Sequence, residues 1–321
     1  MKGMRIAGLA AGVALACAMQ GAGAAAPSIA VGEVGGSGTW KAAAGTHPDL
    51  PRHTIYRPQR WPDTPVPLYV WGNGGCSANG LAHAAYLREI ASRGYLVVAL
   101  GAPGGGQGAR PPAAPAAGAP AAQPAGDPTT PEQMIEAIEW ATRENARAGG
   151  DFRNRIDLSH IAVGGHSCGG LQALAVSHDP RIDATLVLNS GIYIRPGGRS
   201  GVAVDKTQLT RLHSPVLYLT GGPSDIAHEN ALDDVAKQDR VPVFFGALPV
   251  GHGGTFSAPD GGEWARVSVR WLDWHLKADA DASRDFAGAS CRLCTDDRWD
   301  VKQKQLPEPA GARPAPGAPA R

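Results

Sequence analysis

IAVGGHSCGGLQALAV, residues 161 to 176, places a serine between a hydrophobic run and a run of small and aliphatic residues. Within it, Gly165-His166-Ser167-Cys168-Gly169 fits the G-x-S-x-G pattern, positioned after a predicted strand and before a predicted helix. In such a turn the serine adopts a strained backbone conformation, and a side chain on either flanking glycine would collide with the neighbouring strand or helix. The stretch therefore predicts a reactive serine, Ser167, on a sharp strand-to-helix turn.

Strand and helix patterns alternate around this turn. Six short apolar runs bounded by glycine, proline or polar residues predict buried parallel strands: residues 66–74, 94–101, 160–167, 184–191, 214–222 and 241–248. Helical patterns occur at residues 81–94, 131–150, 169–179 and 262–278. The alternation predicts an α/β fold, with a mostly parallel central sheet and helices on both faces. Residues 38–45 and 53–58 predict an antiparallel hairpin that leads into the sheet.

Two further residues support a chemical role for Ser167. In folds that carry this turn, an acid and a histidine follow the serine in chain order, each in a loop after a later strand. Asp225 comes just beyond the strand pattern 214–222, and His252 comes just beyond 241–248. A neutral imidazole would take the serine proton, while the aspartate would hold the histidine tautomer. The order and placement predict a triad of Ser167, Asp225 and His252, with activity that rises as the histidine loses its proton.

Over residues 50–278 the chain resembles the α/β-hydrolase superfamily, and within it the lid-less secreted serine esterases similar to cutinase-like and dienelactone-hydrolase-like enzymes. Dienelactone hydrolases have cysteine at the centre of the turn, where this chain has Ser167, so their substrate is not implied. The interval of residues 191–213 is too short for a cap domain, which predicts an open site. The resemblance implies a carboxylic-ester hydrolase that needs no cofactor and no metal, acting on small-molecule or polymeric esters.

An oxyanion hole needs two donors directed at one oxygen. The backbone N–H of Cys168 would be one, and Gly75 or Cys76 in the glycine-rich loop after residues 66–74 would supply the other, resembling esterase oxyanion loops. If Cys76 and Cys168 both flank the hole, their α-carbons come close to the span of a disulfide. We therefore expect a Cys76–Cys168 bond, with two free core thiols as the alternative, and a second bond between Cys291 and Cys294.

Candidate walls for the acyl site are Trp71 and Tyr193, with core packing as the alternative role for each. The pair Cys291 and Cys294 could also be half of a zinc site, but no second Cys/His pair with ligand spacing accompanies it. Metal binding is therefore not expected.

The ends of the chain and one insertion have distinct compositions. Residues 1–24 have the order of a secretory signal peptide, with cleavage after Ala24 or Ala26, which predicts a secreted or periplasmic protein and no stable membrane span after cleavage. Residues 25–50 are an N-terminal extension, and residues 51–300 the hydrolase domain. A Pro/Ala/Gly-rich insertion at about 102–131 is expected to be flexible, and a tail at 301–321 is expected to be disordered.

Charge and cysteine count narrow the alternatives. The net charge is +1, from 30 basic and 29 acidic residues, and no Lys/Arg cluster marks a nucleic-acid surface. Four cysteines remain after signal removal, which suits an exported chain. A serine peptidase, an acyltransferase, or a non-catalytic binding protein of the same fold are the alternatives to an esterase, and the oligomeric state is not predicted.

Overall fold

The computed structural model describes residue 1 and residues 29–105, 127–195 and 201–307. The predicted signal peptide, the centre of the Pro/Ala/Gly-rich insertion and residues 308–321 of the tail lie outside the described residues.

A ten-stranded mixed sheet forms the centre of the described chain. Its strands are β1 Ile29–Gly35, β2 Ala42–Thr46, β3 His53–Pro58, β4 Val66–Gly72, β5 Leu96–Leu100, β6 Ile156–His166, β7 Ala184–Leu188, β8 Val216–Thr220, β9 Val243–Ala247 and β10 Asp300–Lys304. They lie in the order β1-β2-β3-β5-β4-β6-β7-β8-β9-β10. The six strands from β5 to β9 in this order are parallel, and the predicted antiparallel hairpin is confirmed as β2 and β3.

Helices cover both faces of the sheet. They are α1 Ala84–Ser92, α2 Glu132–Ala146, α3 Cys168–Val176, α4 His228–Lys237, α5 Gly262–Lys277 and α6 Ala280–Ser283. Side chains of β4 alternate between two cores: Leu68 and Val70 join α2 on one face, and Tyr69 and Trp71 join α1 and α5 on the other. Burial on both faces explains why the parallel strands are continuously hydrophobic in sequence. The α/β class and the mostly parallel sheet are confirmed.

The sheet extends further at both edges than the sequence indicates. Strands β1 and β2 lie within the predicted extension of residues 25–50, and β10 pairs with β9 within the predicted disordered tail, so the prediction for residues 301–304 is wrong. The sequence of β10, DVKQK, is mostly polar and partly exposed. Backbone hydrogen bonds hold such an edge strand without a hydrophobic pattern, so periodicity does not reveal it.

The connection from β7 to β8 is short. Among its described residues, one 3₁₀ helix, Lys206–Arg211, is the only helical segment. This 3₁₀ helix packs beside α4. Its buried Leu209 belongs to the same core cluster as Val235 of α4.

His275 near the end of α5 predicts a pH dependence of stability. Its ring lies against Trp271 and Trp274, each with centroids 4.3 Å away, and burial lowers its pKa to about 4. The unfolded histidine titrates near 6.5, so this contribution to stability is present above pH ~6.5 and lost as the pH falls through about 4. His275→Phe should reduce the loss of unfolding free energy between pH 7 and 4 by roughly 2 kcal/mol, measured by denaturant melts.

The exposed His178 offers the matched control. His178→Phe should leave the pH dependence as in the wild type. Equal slopes for the wild type and His275→Phe would contradict the assignment.

Candidate active site

Three side chains meet at the carboxyl edge of the parallel strands. Ser167 follows β6, Asp225 lies in the loop after β8, and His252 lies in the loop after β9. His252 Nε2 is 3.0 Å from Ser167 Oγ, and His252 Nδ1 is 2.6 Å from Asp225 Oδ1. Asp225 lies 58 positions after Ser167 (225 − 167), and His252 lies 27 positions after Asp225 (252 − 225). The three residues come together because parallel strands have their carboxyl ends at the same edge of the sheet.

The backbone at Ser167 is strained, and the surrounding glycines permit it. Ser167 has φ 52° and ψ −116°, outside the regions that residues with a side chain ordinarily occupy. A Cβ on Gly165 would lie 2.2 Å from the carbonyl carbon of Gly169, and one on Gly169 would lie 2.0 Å from the carbonyl oxygen of Gly72. The turn therefore requires glycine at positions 165 and 169 because there is no space for a Cβ atom there. Neither glycine has the positive φ that would by itself favour glycine.

Asp225 is held in its ionised form. Its carboxylate accepts hydrogen bonds from the N–H groups of Gly221 and Ala227 and from Asn189 Nδ2, at 2.8–2.9 Å, in addition to the bond with His252. Burial by itself raises the pKa of Asp225, but these hydrogen bonds outweigh burial and lower the pKa to about 2. A charged carboxylate can orient the imidazole of His252 and stabilise its protonated form.

Two half-buried histidines, His166 and His83, lie beside the site. His166 Nε2 donates to the backbone carbonyl of His252 at 2.9 Å, so the proton of the neutral ring is on Nε2. Burial lowers the pKa of His166 to about 4, and burial together with the proximity of His166 lowers that of His83 to about 3. Both rings are therefore neutral at physiological pH, and His166 attaches the His252 loop to the end of β6.

A disulfide joins the serine turn to the loop after β4. Cys76 and Cys168 are bonded, with α-carbons 5.2 Å apart, and Cys291 is bonded to Cys294, so both predicted pairings are confirmed. Gly75 and Cys168 line the cleft at Ser167, whereas Cys76 is buried and contributes through the disulfide. A Cβ on Gly75 would meet nothing within 4 Å, but its φ of 63° favours glycine.

The end of the insertion is attached to this same loop. Thr129 donates to the carbonyl of Cys76 through its N–H and its hydroxyl, and Gln172 donates to Thr129. The flexibility predicted for residues 102–131 therefore does not extend to Thr129, because buried hydrogen bonds hold this residue.

A cleft of about 290 Å³ opens beside Ser167 and His252. Tyr193 lines it, and its role as an acyl-site wall stays a prediction. Trp71 does not: its ring is fully buried against Tyr86 and Phe256, so the assignment of Trp71 as a wall is wrong and its role is core packing. A tryptophan at the end of β4 necessarily points to one face of the sheet, and here that face is the α1–α5 core.

Two exposed apolar side chains line this cleft. Six large hydrophobic residues are exposed among the described residues, and Tyr193 and Ile226 are the two that line the cleft; Ile194 and Val250 are close to cleft residues in sequence. Ile226 directly follows Asp225 and is 79% exposed, and Val250 lies two residues before His252.

Among the described residues, His47, Asp49 and Glu144 bring potential metal-ligand atoms within 4.8 Å of one another. Arg147 Nη2 lies 2.6 Å from Asp49 and 2.7 Å from Glu144. His47 Nδ1 accepts from Trp140 Nε1 and from the N–H of Asp49, so the ring proton is on Nε2, facing Glu144. The Arg147 guanidinium bridges the two carboxylates, and the cluster is an ion-pair network in which His47 offers no free nitrogen to a metal.

The sequence matches no protein-family model and no curated protein. None of the described helices combines the length and apolar character needed to cross a membrane. Functional interpretation therefore depends on the site itself.

Sequence reasoning did not identify Asn189, which hydrogen-bonds to Asp225 and lines the cleft. The available signal was a polar residue directly after the buried strand β7, at the edge where Ser167, Asp225 and His252 meet. Asparagine is also common in ordinary turns, so this position alone does not indicate a functional role.

The two disulfides should differ in their effect on stability. In the chain-entropy model, a bond closing a 92-residue separation contributes about 4–5 kcal/mol, whereas one closing three residues contributes about 1.6 kcal/mol. Replacing Cys76 and Cys168 by serine together should therefore lower the free energy of unfolding far more than the matched pair Cys291→Ser/Cys294→Ser, measured by urea melts. Equal losses would contradict the placement of the Cys76–Cys168 bond at the junction of β4 and α3.

Proposed function

We propose that the protein is a serine hydrolase of the α/β-hydrolase type that cleaves carboxylic esters through an acyl-enzyme on Ser167. The observation that carries the proposal is the unbroken hydrogen-bond chain from Ser167 Oγ through His252 to Asp225. It supports a catalytic triad because each member lies within hydrogen-bond reach of the next and Ser167 opens onto a cleft.

In the acylation step, His252 Nε2 takes the proton of Ser167 while Oγ bonds to the ester carbonyl carbon. The imidazolium is stabilised by the Asp225 carboxylate, which stays charged because its pKa is lowered to about 2. Collapse of the tetrahedral intermediate breaks the bond to the alcohol oxygen, and His252 returns the proton to that oxygen. The alcohol leaves and the acyl group remains on Ser167.

The carbonyl oxygen becomes negative in this step and needs donors. The backbone N–H of Cys168, at the start of α3, and that of Gly75 are the proposed oxyanion hole, since both residues line the cleft at Ser167. Cys76 would hold the Gly75 loop in place through its bond to Cys168.

Deacylation repeats the sequence with water. His252 takes a proton from a water molecule, whose oxygen attacks the acyl carbon, and the proton then passes to Ser167 Oγ as the carboxylic acid is released. Every atom in the cycle comes from the ester, water and the triad, so the proposal requires neither a cofactor nor a metal.

The apolar surroundings of the cleft favour an ester with an apolar acyl group. Tyr193 and Ile226 both line the cleft and both reach solvent, so an acyl chain leaving Ser167 would contact them. Two disulfides support export to an oxidising compartment, which accords with the expected signal peptide.

Ser167→Ala should abolish ester hydrolysis. Loss of a triad nucleophile costs on the order of 10⁶ in turnover in subtilisin, and we expect a comparable fall in hydrolysis of 4-nitrophenyl acetate. A fluorophosphonate should label the tryptic peptide that contains Ser167, detected by mass spectrometry.

Ser190, a second serine lining the same cleft, provides the control. Ser190→Ala should keep turnover within about tenfold of the wild type, because its hydroxyl donates to the Ser167 carbonyl and lies outside the triad. Turnover that survives in Ser167→Ala, or labelling at another serine, would overturn the proposal.

Ile226→Ser should change the preference for acyl length. Removing an exposed isoleucine from the cleft wall should lower kcat/KM for 4-nitrophenyl octanoate by about fivefold, with acetate nearly unaffected, because only the longer chain reaches this residue. Val34→Ser is a matched exposed control on β1, distant in the sheet order. A uniform loss for both esters would contradict a role of Ile226 in acyl binding.

A further inference from the structure

Asn189 lies at the point where the acid loop, the histidine loop and α5 meet. It follows β7 directly and is fully buried, with φ 46°. Its Nδ2 donates to Asp225 Oδ2 at 2.8 Å and to the Gly251 carbonyl at 3.1 Å, and its Oδ1 accepts from Trp264 Nε1 at 2.6 Å. One amide thus uses both of its N–H groups and its oxygen on three different segments.

The chemistry of these partners determines the orientation of the amide. The indole N–H of Trp264 can only donate, so it must face the amide oxygen. A carboxylate and a carbonyl oxygen can only accept, so both must face the amide nitrogen. Rotating the amide by 180° would break all three hydrogen bonds, which leaves a single orientation.

Each bond restrains a different part of the triad. The bond to Asp225 holds Oδ2 of the carboxylate, while His252 contacts the other oxygen, Oδ1. The bond to Gly251 attaches the residue immediately before His252. The bond from Trp264 connects both loops to α5, and a Cβ on Gly254 would lie 2.7 Å from Trp264 Nε1 and 3.0 Å from Asn189 Oδ1, so the histidine loop packs directly on this pair.

We infer that Asn189 is a positioning residue for the triad, and that Trp264 acts through it by fixing the orientation of its amide. Asn189 touches neither the serine oxygen nor the attacking water. It holds Asp225 and the backbone beside His252 in one rigid arrangement, so that the imidazole stays aligned with Ser167 through both proton transfers. The kinetic part of this inference rests on the proposed esterase activity.

Asn189→Ala should lower kcat by about 100-fold with KM within about threefold, because a displacement of the base on the order of 1 Å has that effect on turnover. Asn189→Asp keeps the size but replaces the donor with an acceptor facing Asp225, and it should lower kcat at least as far. The proposed acyl contacts of Tyr193 and Ile226 stay in place in either variant, which is why KM is expected to change little.

The chain offers a matched pair of tryptophans on α5. Trp264 and Trp271 are both fully buried, and among the described residues Trp271 Nε1 has no hydrogen-bond partner. Trp264→Phe should lower kcat about fivefold, whereas Trp271→Phe should leave it unchanged, although both lose similar bulk. In the Asn189→Ala background, Trp264→Phe should cause no further loss of kcat, because its effect passes through the amide.

A readout that needs no substrate separates this inference from the proposed function. In ¹⁵N-histidine-labelled wild type, the His252 Nδ1 proton bonded to Asp225 should give a resolved downfield resonance by NMR. The resonance should broaden or vanish in Asn189→Ala and persist in Trp271→Phe. If the wild type fails to hydrolyse esters, the proposed function fails, and this resonance still tests the positioning role.

Two outcomes would overturn the inference. One is equal loss of kcat in Trp264→Phe and Trp271→Phe, which would indicate a packing effect of tryptophan volume. The other is an Asn189→Ala protein with lower melting temperature but with wild-type kcat and an intact His252 resonance, which would assign Asn189 to stability alone.

Discussion

The contact between the backbones of Gly72 and Gly169 is the constraint on which the site depends. The first turn of α3 lies so close to the end of β4 that a methyl group on Gly169 would fall 2.0 Å from the Gly72 carbonyl oxygen. That approach holds Ser167 in its strained conformation at the top of β6 and brings Cys168 within bonding distance of Cys76. The disulfide then attaches the loop after β4 to the same point, so the turn at Ser167 and the proposed oxyanion loop form one unit.

The rest of the site is assembled by loops that end at the same edge of the sheet. Asp225 and His252 are carried there by β8 and β9, and their geometry depends on hydrogen bonds that lie behind them. Asn189 joins both loops, while His166 attaches the carbonyl of His252 to the end of β6. The neutral histidines His166 and His83 lie on one side and the ionised Asp225 on the other, so the imidazole of His252 has a negative partner, and neither of these two histidines adds a positive charge.

Much of the fold and the core of the site were predictable, because their signals are local. The six parallel strands are buried on both faces and are therefore hydrophobic throughout. The turn at Ser167 is recognisable because its close backbone contacts require glycine at positions 165 and 169. Strand β10 was not predictable because its sequence lacks a hydrophobic pattern, and the backbone pairing with β9 that helps to hold it leaves no local signal. The burial of Trp71 depends on which face of the sheet its side chain points to. The hydrogen bonds of Asn189 depend on a partner from α5, Trp264. Local sequence patterns contain no information on either feature.

The sequence by itself determined the α/β class, the order of serine, acid and histidine, and the spacing of the cysteines, because periodicity and residue type follow from the chain alone. Tertiary structure decided the distances between Ser167, His252 and Asp225, the pairing of the cysteines and the supporting role of Asn189. These features arise from contacts between residues far apart in the chain: Cys76 and Cys168 are 92 positions apart, and Trp264 lies 75 positions from Asn189. Such contacts exist only when the sheet aligns the ends of its parallel strands at one edge and α5 packs against them.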